Sequence, residues 1–337
     1  MQEQVTKTRE RLDFIWLELT GRCNLECIHC YADSGPERPL SEGMELEDWL
    51  GALDDAASLG CRKVQYIGGE PTLYPGLPRL IEYARRIGYE QQCVYTNGTH
   101  LTDELKAVFK THDVSLAFSV YGPTGDVHDR VTMRNGSFMK TYHGIRWAVD
   151  SGLSVRTSII EMEVNFHDVE LTKQLLRGAG VSAVHVDRIR GVGRGTQGCP
   201  PESQLKELCG RCGNGKVCVS YSGDVYPCVF SRFWPLGNIK VDGLGAVTGG
   251  PRLQQFYEAA IAAADGMDES GGTKTSRLPG GSAFRQLWAN TCSPEEPAPP
   301  CSPERDPGPC NPEIDPGPCT PEKPSSSPYV NRGASLL

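Results

Sequence analysis

Short apolar segments alternate with longer amphipathic ones between residues 14 and 195, and this alternation restricts the fold more than any other feature of the chain. Such a pattern is typical of parallel strands joined by crossover helices. The strand-like segments are FIWLELT (14–20), KVQYIG (63–68), QCVYTN (92–97), VSLAFSV (114–120), VRTSII (155–160) and AVHVDRI (183–189). The helix-like segments lie near 45–59, 76–88, 102–111, 138–151 and 168–179. The sequence therefore predicts an α/β fold, a partial (βα)6 TIM-like barrel, with reactive groups in the loops that follow the strands.

Charge and hydropathy exclude several classes of protein. The 337 residues carry a formal net charge of -8, which lacks the clustered positive charge that nucleic-acid binding needs. The first residues, MQEQVTKTRERLDF, contain no apolar signal segment, and no run of about 18 apolar residues occurs. We therefore expect a cytoplasmic protein that binds neither nucleic acid nor membrane.

Three cysteines, Cys23, Cys27 and Cys30, follow the first predicted strand in the segment TGRCNLECIHCYA. In a reducing compartment, thiols serve more often as metal ligands or catalysts than as disulfides. Iron-sulfur cubanes are held by cysteine thiolates, usually four. If only three bind, one iron keeps an open position for a small ligand, as a catalytic zinc keeps a vacant site.

The segment CNLECIHC fits the pattern CxxxCxxC and resembles the signature of radical S-adenosylmethionine (SAM) enzymes. Three further segments, each at a strand end, extend the likeness: IGGEP (67–71), YTNG (95–98) and FSVYG (118–122). The resemblance implies a [4Fe-4S] cluster bound by the three cysteines and by SAM itself. An electron from a reductant such as flavodoxin or ferredoxin then cleaves SAM to a 5'-deoxyadenosyl radical, which abstracts hydrogen from a substrate.

The same resemblance implies the residues that contact SAM. The glycines of IGGEP allow close backbone approach, and its glutamate offers an acceptor to the SAM amine. Ser119 is the candidate for the ribose or the carboxylate of SAM. The full set of candidate SAM contacts is Gly68, Gly69, Glu70, Asn97, Ser119 and Thr157. No catalytic side chain is assigned.

Two other interpretations of the first cysteines remain. One is a zinc knuckle that uses Cys23, Cys27 and Cys30 with His29 or a distant cysteine. It leaves the GGEP segment unexplained, and adjacent ligands such as His29 and Cys30 suit one tetrahedral ion poorly. The other is a nucleophilic-cysteine enzyme, for which no activating pair of histidine and asparagine is suggested.

A second cysteine group lies in CGNGKVCVSYSGDVYPC, a segment in which Ser222, Gly223 and Asp224 predict a hairpin turn. The segment resembles the start of a SPASM or twitch extension, whose cysteines hold an auxiliary iron-sulfur cluster. The chain lacks the CxxCxxxxxCxxxC pattern of a second auxiliary cluster. The resemblance therefore implies one auxiliary cluster with these ligands: Cys212, Cys218, Cys228 and Cys292, with Cys209 as the alternative to Cys292. A structural zinc on Cys209, Cys212, Cys218 and Cys228 also satisfies four-thiolate coordination.

The predicted domains are a radical SAM core (1–198), a SPASM/twitch-like auxiliary cluster domain (199–263), a linker (264–291) and a tail (292–337). The tail repeats a nine-residue Cys-Pro unit, and its proline content favours polyproline II or disorder. We expect a flexible tail, with metal binding or partner docking as the alternative.

The SPASM likeness favours modification of a ribosomally synthesised peptide. About 13 residues precede the first strand, so a separate recognition protein or the tail is expected to deliver that peptide. Val229, directly after Cys228, counts against sulfatase maturation, where relatives carry an acidic residue. The alternatives are a small-molecule dehydrogenase or epimerase of natural-product biosynthesis and a non-catalytic metal-binding scaffold. His128, beside Asp129, is interpreted as a surface residue at a helix start, with substrate contact as the alternative.

Overall fold

The computed structural model describes residues 11–196, 204–205, 207–208 and 212–265, which lie in one compact unit. The strands are β1 (Phe14–Glu18), β2 (Lys63–Ile67), β3 (Gln91–Thr96), β4 (Ser115–Ser119), β5 (Val155–Glu161), β6 (Ala183–Arg188), β7 (Lys216–Val219), β8 (Asp224–Tyr226) and β9 (Gly237–Asn238). The helices are α1 (Leu46–Ser58), α2 (Leu77–Arg86), α3 (Asp103–Thr111), α4 (Gly125–Thr132), α5 (Ser137–Asp150), α6 (Val169–Gly178), α7 (Ile239–Asp242), α8 (Leu244–Thr248) and α9 (Pro251–Asp265). Among these, the sequence did not predict α4, α7, α8 or α9.

All nine strands belong to one sheet, in the order β6-β5-β4-β3-β2-β1-β7-β8-β9. Strands β1 to β6 are parallel neighbours in chain order, which confirms the predicted α/β fold with successive crossover helices. β7 joins the other side of β1, also in parallel, with Trp16 opposite Cys218. β8 and β9 continue the sheet antiparallel. β1 therefore has a strand on each side: the first cysteine loop follows β1, and Cys218 of the second group lies on its neighbour β7.

The two faces of the sheet differ in what covers them. On the outer face, the Tyr66 hydroxyl donates to the carbonyl of Leu80 in α2 at 3.3 Å, and a Cβ on Gly144 of α5 would lie 3.5 Å from the Phe118 ring. Parallel strands alternate their side chains between faces, so Trp16 and Gln65 belong to the opposite, interior face. There the Trp16 indole donates to Gln65 Oε1 at 2.8 Å.

Local chemistry explains where the helices begin. Thr102 is the N-cap of α3, as predicted, and its hydroxyl accepts from the Leu105 N–H at 3.2 Å. Asp168 occupies the N-cap position of α6 without a side-chain cap bond. Trp49 of α1 is fully buried and belongs to the hydrophobic core between the helices and the sheet.

The predicted hairpin turn joins β7 to β8. The Ser220 N–H donates to Asp224 O at 2.9 Å, and Gly223 has a φ of 87°, which a residue with a side chain adopts only with strain. No helix among the described residues has both the length and the apolar character needed to cross a bilayer. Several predictions lie outside the described residues: the linker beyond residue 265, the repeat tail, Cys209 and Cys292.

A buried ion pair connects β1 with the segment that follows Cys228. Glu18, the last residue of β1, is fully buried and pairs with Arg232, whose side chain is mostly buried. The guanidinium also lies 5.4 Å from the ring centroid of Tyr31, the residue after Cys30. Arg232 therefore holds the two cysteine-bearing segments together through one charge.

We expect Arg232→Met to lower the free energy of unfolding by about 3–5 kcal/mol, because it leaves the Glu18 carboxylate buried without its cation. Adding Glu18→Gln to Arg232→Met should restore part of this loss. Chemical denaturation of the anaerobic protein measures both variants. A double variant that is no more stable than the single one would contradict this account of the pair.

Candidate functional site

The loop that follows β1 brings the thiols of Cys23, Cys27 and Cys30 together. Burial is the main cause that raises the pKa of Cys23, to about 12. Burial also raises the pKa of Cys27, and the neighbouring Cys23 and Cys30 thiols add to that rise. Because burial keeps the Cys23 and Cys27 thiols protonated, their binding as thiolates requires a metal centre that displaces their protons.

Hydrogen-bond donors point at two of these sulfurs. The Leu25 N–H donates to Cys23 Sγ at 3.4 Å, and Asn97 Nδ2 donates to the same sulfur at 3.7 Å. The Tyr121 hydroxyl donates to Cys27 and opposes the rise in its pKa. Donors in these positions stabilise the thiolate form that a cluster requires.

The chemistry of the donor set fits a cubane. Among the described residues, no three His, Cys, Asp or Glu side chains are grouped as ligands of one metal ion. In a cubane each thiolate binds a different iron, so three cysteines leave one iron for another ligand. Cys23, Cys27 and Cys30 would hold such a cluster.

Arg194, in the turn after β6, binds the loop that carries Cys23, Cys27 and Cys30 (the cysteine loop). Its backbone N–H donates to Cys30 O at 2.9 Å, and its Nε donates to Cys27 O at 2.8 Å. Its two Nη atoms reach Asp33 Oδ1 at 3.0 Å and Ser34 O at 2.8 Å. Arg194 therefore fixes the loop at four points, three of them through its side chain, and brings a positive charge close to the Cys27 thiol.

The glycines of the GGEP segment are required by contact with the same loop. Gly68 has a φ of 145°, and a Cβ there would lie 2.7 Å from Thr20 O. A Cβ on Gly69 would overlap the carbonyl of Arg22. The backbone N–H groups of Gly69 and Glu70 donate to Thr20 O at 2.7 Å and Arg22 O at 2.9 Å. These glycines let the loop after β2 pack against the loop that carries the cysteines.

Glu70 is fully buried and its carboxylate is occupied by this chain. Oε1 accepts from Thr72 N at 3.1 Å, Thr72 Oγ1 at 2.7 Å and Thr96 Oγ1 at 2.6 Å, and Oε2 accepts from Asn97 N at 2.7 Å. Burial raises the pKa of Glu70, and these donors oppose the rise. With both oxygens engaged, Glu70 ties the loops after β2 and β3 together, and its role as an acceptor for SAM remains a prediction.

The other predicted SAM contacts include residues on opposite faces of the sheet. Ser119 is partly exposed at the end of β4, and the Tyr121 hydroxyl bonds to it. Asn97 lies beside Cys23, as described above. Thr157 is fully buried and pairs in register with Phe118, whose ring faces α5, so it lies on the outer face. Its neighbour Ser158 pairs with Ser119 on the interior face and is the better-placed hydroxyl of the strand.

Two residues of this site were not found from the sequence. Tyr121 is buried beside Cys27, and its ring centroid lies 4.8 Å from that of His29 in an edge-to-face contact. His128 lies in α4, is 1% exposed, and accepts the Tyr121 N–H at 3.2 Å through Nδ1. The interpretation of His128 as a surface residue was wrong because α4 packs this face inward; burial lowers its pKa to about 4.

The second group places Cys212, Cys218 and Cys228 in one buried region. Cys218 lies on β7. Burial and then the Glu18 charge raise the pKa of its thiol, Arg232 opposes the rise, and the nearby Cys228 thiol adds to it. The sulfurs of Cys212 and Cys228 are 3.0 Å apart. This closeness brings two of the predicted auxiliary ligands together.

Two family models match the chain. Residues 17–176 match the radical SAM superfamily, and residues 209–268 match SPASM, an iron-sulfur cluster-binding domain. The first match contains Cys23, Cys27 and Cys30, and the second contains Cys212, Cys218 and Cys228. Both cysteine groups described above therefore fall inside the matched regions.

Curated relatives and solved structures agree with these matches. The antilisterial bacteriocin subtilosin biosynthesis protein AlbA of Bacillus subtilis is 26% identical over 274 residues, 72% of this chain and 60% of AlbA. The Fe-coproporphyrin III synthase of Methanosarcina barkeri is 26% identical over 193 residues, 57% of this chain and 48% of the synthase. The chain thus spans about half to three fifths of these relatives. Streptococcus suis SuiB, solved with S-adenosylmethionine, shares the fold at a TM-score of 0.60, with 14% identity over 74% of this chain and 68% of SuiB.

We expect Arg194→Met to destabilise the protein by about 2–3 kcal/mol and to lower its iron content, since it removes charged donors from the carbonyls of the cysteine loop. Iron and sulfide analysis after anaerobic reconstitution, with a thermal unfolding midpoint, measures both effects. Arg146→Met is the matched control, because Arg146 bonds Ala179 O and Asp150 on the far side of α5. Equal iron content in the two variants would show that Arg194 does not hold the loop.

Proposed function

We propose that this chain reductively cleaves S-adenosylmethionine and modifies a ribosomally synthesised peptide by hydrogen abstraction. The chain belongs to the radical SAM superfamily and carries a SPASM region. The observation that carries the proposal is the grouping of Cys23, Cys27 and Cys30 at the carboxyl end of β1, with donors aimed at their sulfurs. Three thiols leave a fourth position of a [4Fe-4S] cluster to SAM.

When bound, the cluster and SAM supply a one-electron cleavage to methionine and a 5'-deoxyadenosyl radical. The chain's own residues arrange this chemistry. Arg194 fixes the cysteine loop, and Glu70 fixes the two loops beside it. We propose that Ser119 and Ser158, which pair in register on the interior face, orient the ribose or carboxylate of SAM. The buried strands and aromatic side chains such as Tyr121 keep water from the reacting atoms.

The second cysteine group is proposed to hold one auxiliary iron-sulfur cluster. Its ligands are Cys212, Cys218 and Cys228, with Cys292 as the fourth and Cys209 as the alternative. Support comes from the SPASM match and from β7, which carries Cys218 next to β1. This arrangement suits transfer of an electron from the substrate after hydrogen abstraction.

A peptide substrate is supported by the names of two similar proteins. AlbA is a bacteriocin biosynthesis protein, and SuiB has also been solved with its precursor peptide SuiA. A one-electron donor such as flavodoxin or ferredoxin would be the reductant, and a separate recognition protein would present the peptide.

The cytoplasm is the proposed location because thiols and reduced clusters persist in reducing compartments. The proposed domains are the radical SAM core (1–198), the auxiliary cluster domain (199–263), the linker (264–291) and the tail (292–337).

The second candidate is modification of a small molecule. The similarity to Fe-coproporphyrin III synthase favours this second candidate. The synthase is as identical to this chain as AlbA is, but over fewer residues. Mass spectrometry of a candidate precursor peptide co-expressed with this protein separates the two. A change in peptide mass supports the first candidate. An unmodified peptide, together with turnover of a small-molecule extract, supports the second.

We expect Cys27→Ala to abolish the conversion of SAM to 5'-deoxyadenosine, because one iron loses its thiolate. Chromatography of the reaction of the reconstituted, dithionite-reduced protein measures the product. Cys61→Ala is the matched control, since Cys61 is also buried but lies just before β2, where its thiol bonds the Lys63 carbonyl and the Tyr89 hydroxyl. SAM cleavage by Cys27→Ala at the wild-type rate would refute the assignment of the cluster ligands.

We expect Cys228→Ala to retain most of the SAM cleavage and to lose modified peptide, because the radical still forms but the substrate electron has no acceptor. The ratio of modified peptide to 5'-deoxyadenosine, measured by mass spectrometry, is the readout. If that ratio equals the wild-type ratio, an auxiliary cluster takes no part in the reaction.

A further inference from the structure

Arg156 is the second residue of β5 and lies on the interior face of the barrel sheet. Its neighbour Thr157 pairs with Phe118 on the outer face, so the alternation of the strand places Arg156 on the other side. Its partners in register are Ala117 on β4 and Ala183 on β6. Two alanines beside the arginine leave space around its guanidinium group.

This guanidinium has no counter-charge within the described part of the chain. Its Nε and Nη2 atoms are buried without a hydrogen-bond partner there. Two carboxylates of the strands are already paired with other cations: Asp187 is bound through both oxygens by Arg190 at 2.8 Å, and Glu18 pairs with Arg232. Burying an unpaired charge is costly, so such a group in a stable fold points to a ligand that completes it.

We propose that Arg156 binds a carboxylate of the substrate, either an acidic side chain or the C-terminus of the peptide. The proposal rests on the proposed function, in which a substrate enters the barrel beside SAM. A planar guanidinium with two free N–H directions matches a carboxylate by paired hydrogen bonds.

The depth of Arg156 favours the substrate over SAM as the source of the carboxylate. Arg156 lies five residues before Glu161, the last residue of the strand, or roughly 16 Å along β5 at about 3.3 Å per residue. The cysteine loop lies at the carboxyl ends of the strands. His185, which pairs with Ser158 on the neighbouring strand, has its pKa lowered by burial and then by the Arg156 charge. A neutral imidazole there offers a further hydrogen bond to the bound group.

Two pairs of probes test the ligand chemistry on the reconstituted holoprotein. N-acetyl-glutamate methylamide and its glutamine analogue represent a side chain, and N-acetyl-alanine and its amide represent a C-terminus. We expect the carboxylate of at least one pair to bind, by calorimetry, roughly tenfold or more tighter than its amide. The pair whose acid binds more tightly than its amide identifies the source of the carboxylate.

We expect Arg156→Gln to remove this preference for the acid and Arg156→Lys to keep part of it. Equal binding of acid and amide in both pairs, or an unchanged preference in Arg156→Gln, overturns the proposal.

Stability and SAM binding separate this role from a structural one. Arg156→Met should raise the thermal unfolding midpoint, because it replaces two buried polar atoms that lack hydrogen-bond partners with apolar ones. Arg62→Met is the matched control and should lower the midpoint, since Arg62 Nη1 bonds Ala57 O at 3.0 Å and Cys61 O at 2.7 Å. A midpoint that falls equally in both variants assigns Arg156 to the fold and overturns the proposal.

Arg156→Gln should bind SAM as the wild type does and should still form 5'-deoxyadenosine in the absence of substrate. A loss of SAM affinity as large as the loss of probe affinity would assign the carboxylate to SAM and overturn the proposal. A wild-type protein that binds the acid probes but never cleaves SAM would instead refute the proposed function and leave the carboxylate site standing.

Discussion

The pairing of β1 on both edges is the constraint on which the rest of the structure depends. β2 lies on one side, β7 lies on the other, and the first cysteine loop begins where β1 ends. A central strand cannot shift its register without breaking two ladders of hydrogen bonds. The buried charge of Glu18 adds to this because its cation, Arg232, comes from the second cysteine segment. The two sets of thiols are therefore held in a fixed relation by one strand.

Around this strand, the site is built by contacts between loops that are far apart in the sequence. Gly69 brings the loop after β2 onto the cysteine loop, Glu70 joins that loop to the one after β3, and Arg194 closes the arrangement from the turn after β6. Each contact is a hydrogen bond to a backbone carbonyl or from a backbone N–H. The position of the cysteines is thus set by main-chain geometry, and the identities of a few polar side chains maintain it.

Periodicity and motif spacing were sufficient to predict the first six strands and the crossover helices, because each is a local pattern with its own boundary signals. The same reasoning identified the three cysteines from their spacing. It missed α4, whose eight residues (GDVHDRVT) have no clear apolar stripe, and so it placed His128 at the surface. It also could not assign Thr157 to a face, since a one-residue choice in a strand reverses the side on which every side chain lies. The parallel pairing of β7 with β1 depends on contacts about 200 residues apart in sequence, which no local pattern encodes.

The turn at Gly193 has a consequence for biogenesis. A Cβ at this position would overlap the carbonyls of Cys30 and Tyr31, so the turn fits against the cysteine loop only as glycine and only once β6 has been added to the sheet. A nascent chain emerging from the ribosome exposes Cys23, Cys27 and Cys30 long before residue 193 is synthesised. Those thiols remain unclasped and open to oxidants or stray metals during that interval, and delivery of iron and sulfide is best timed after the sixth strand has docked.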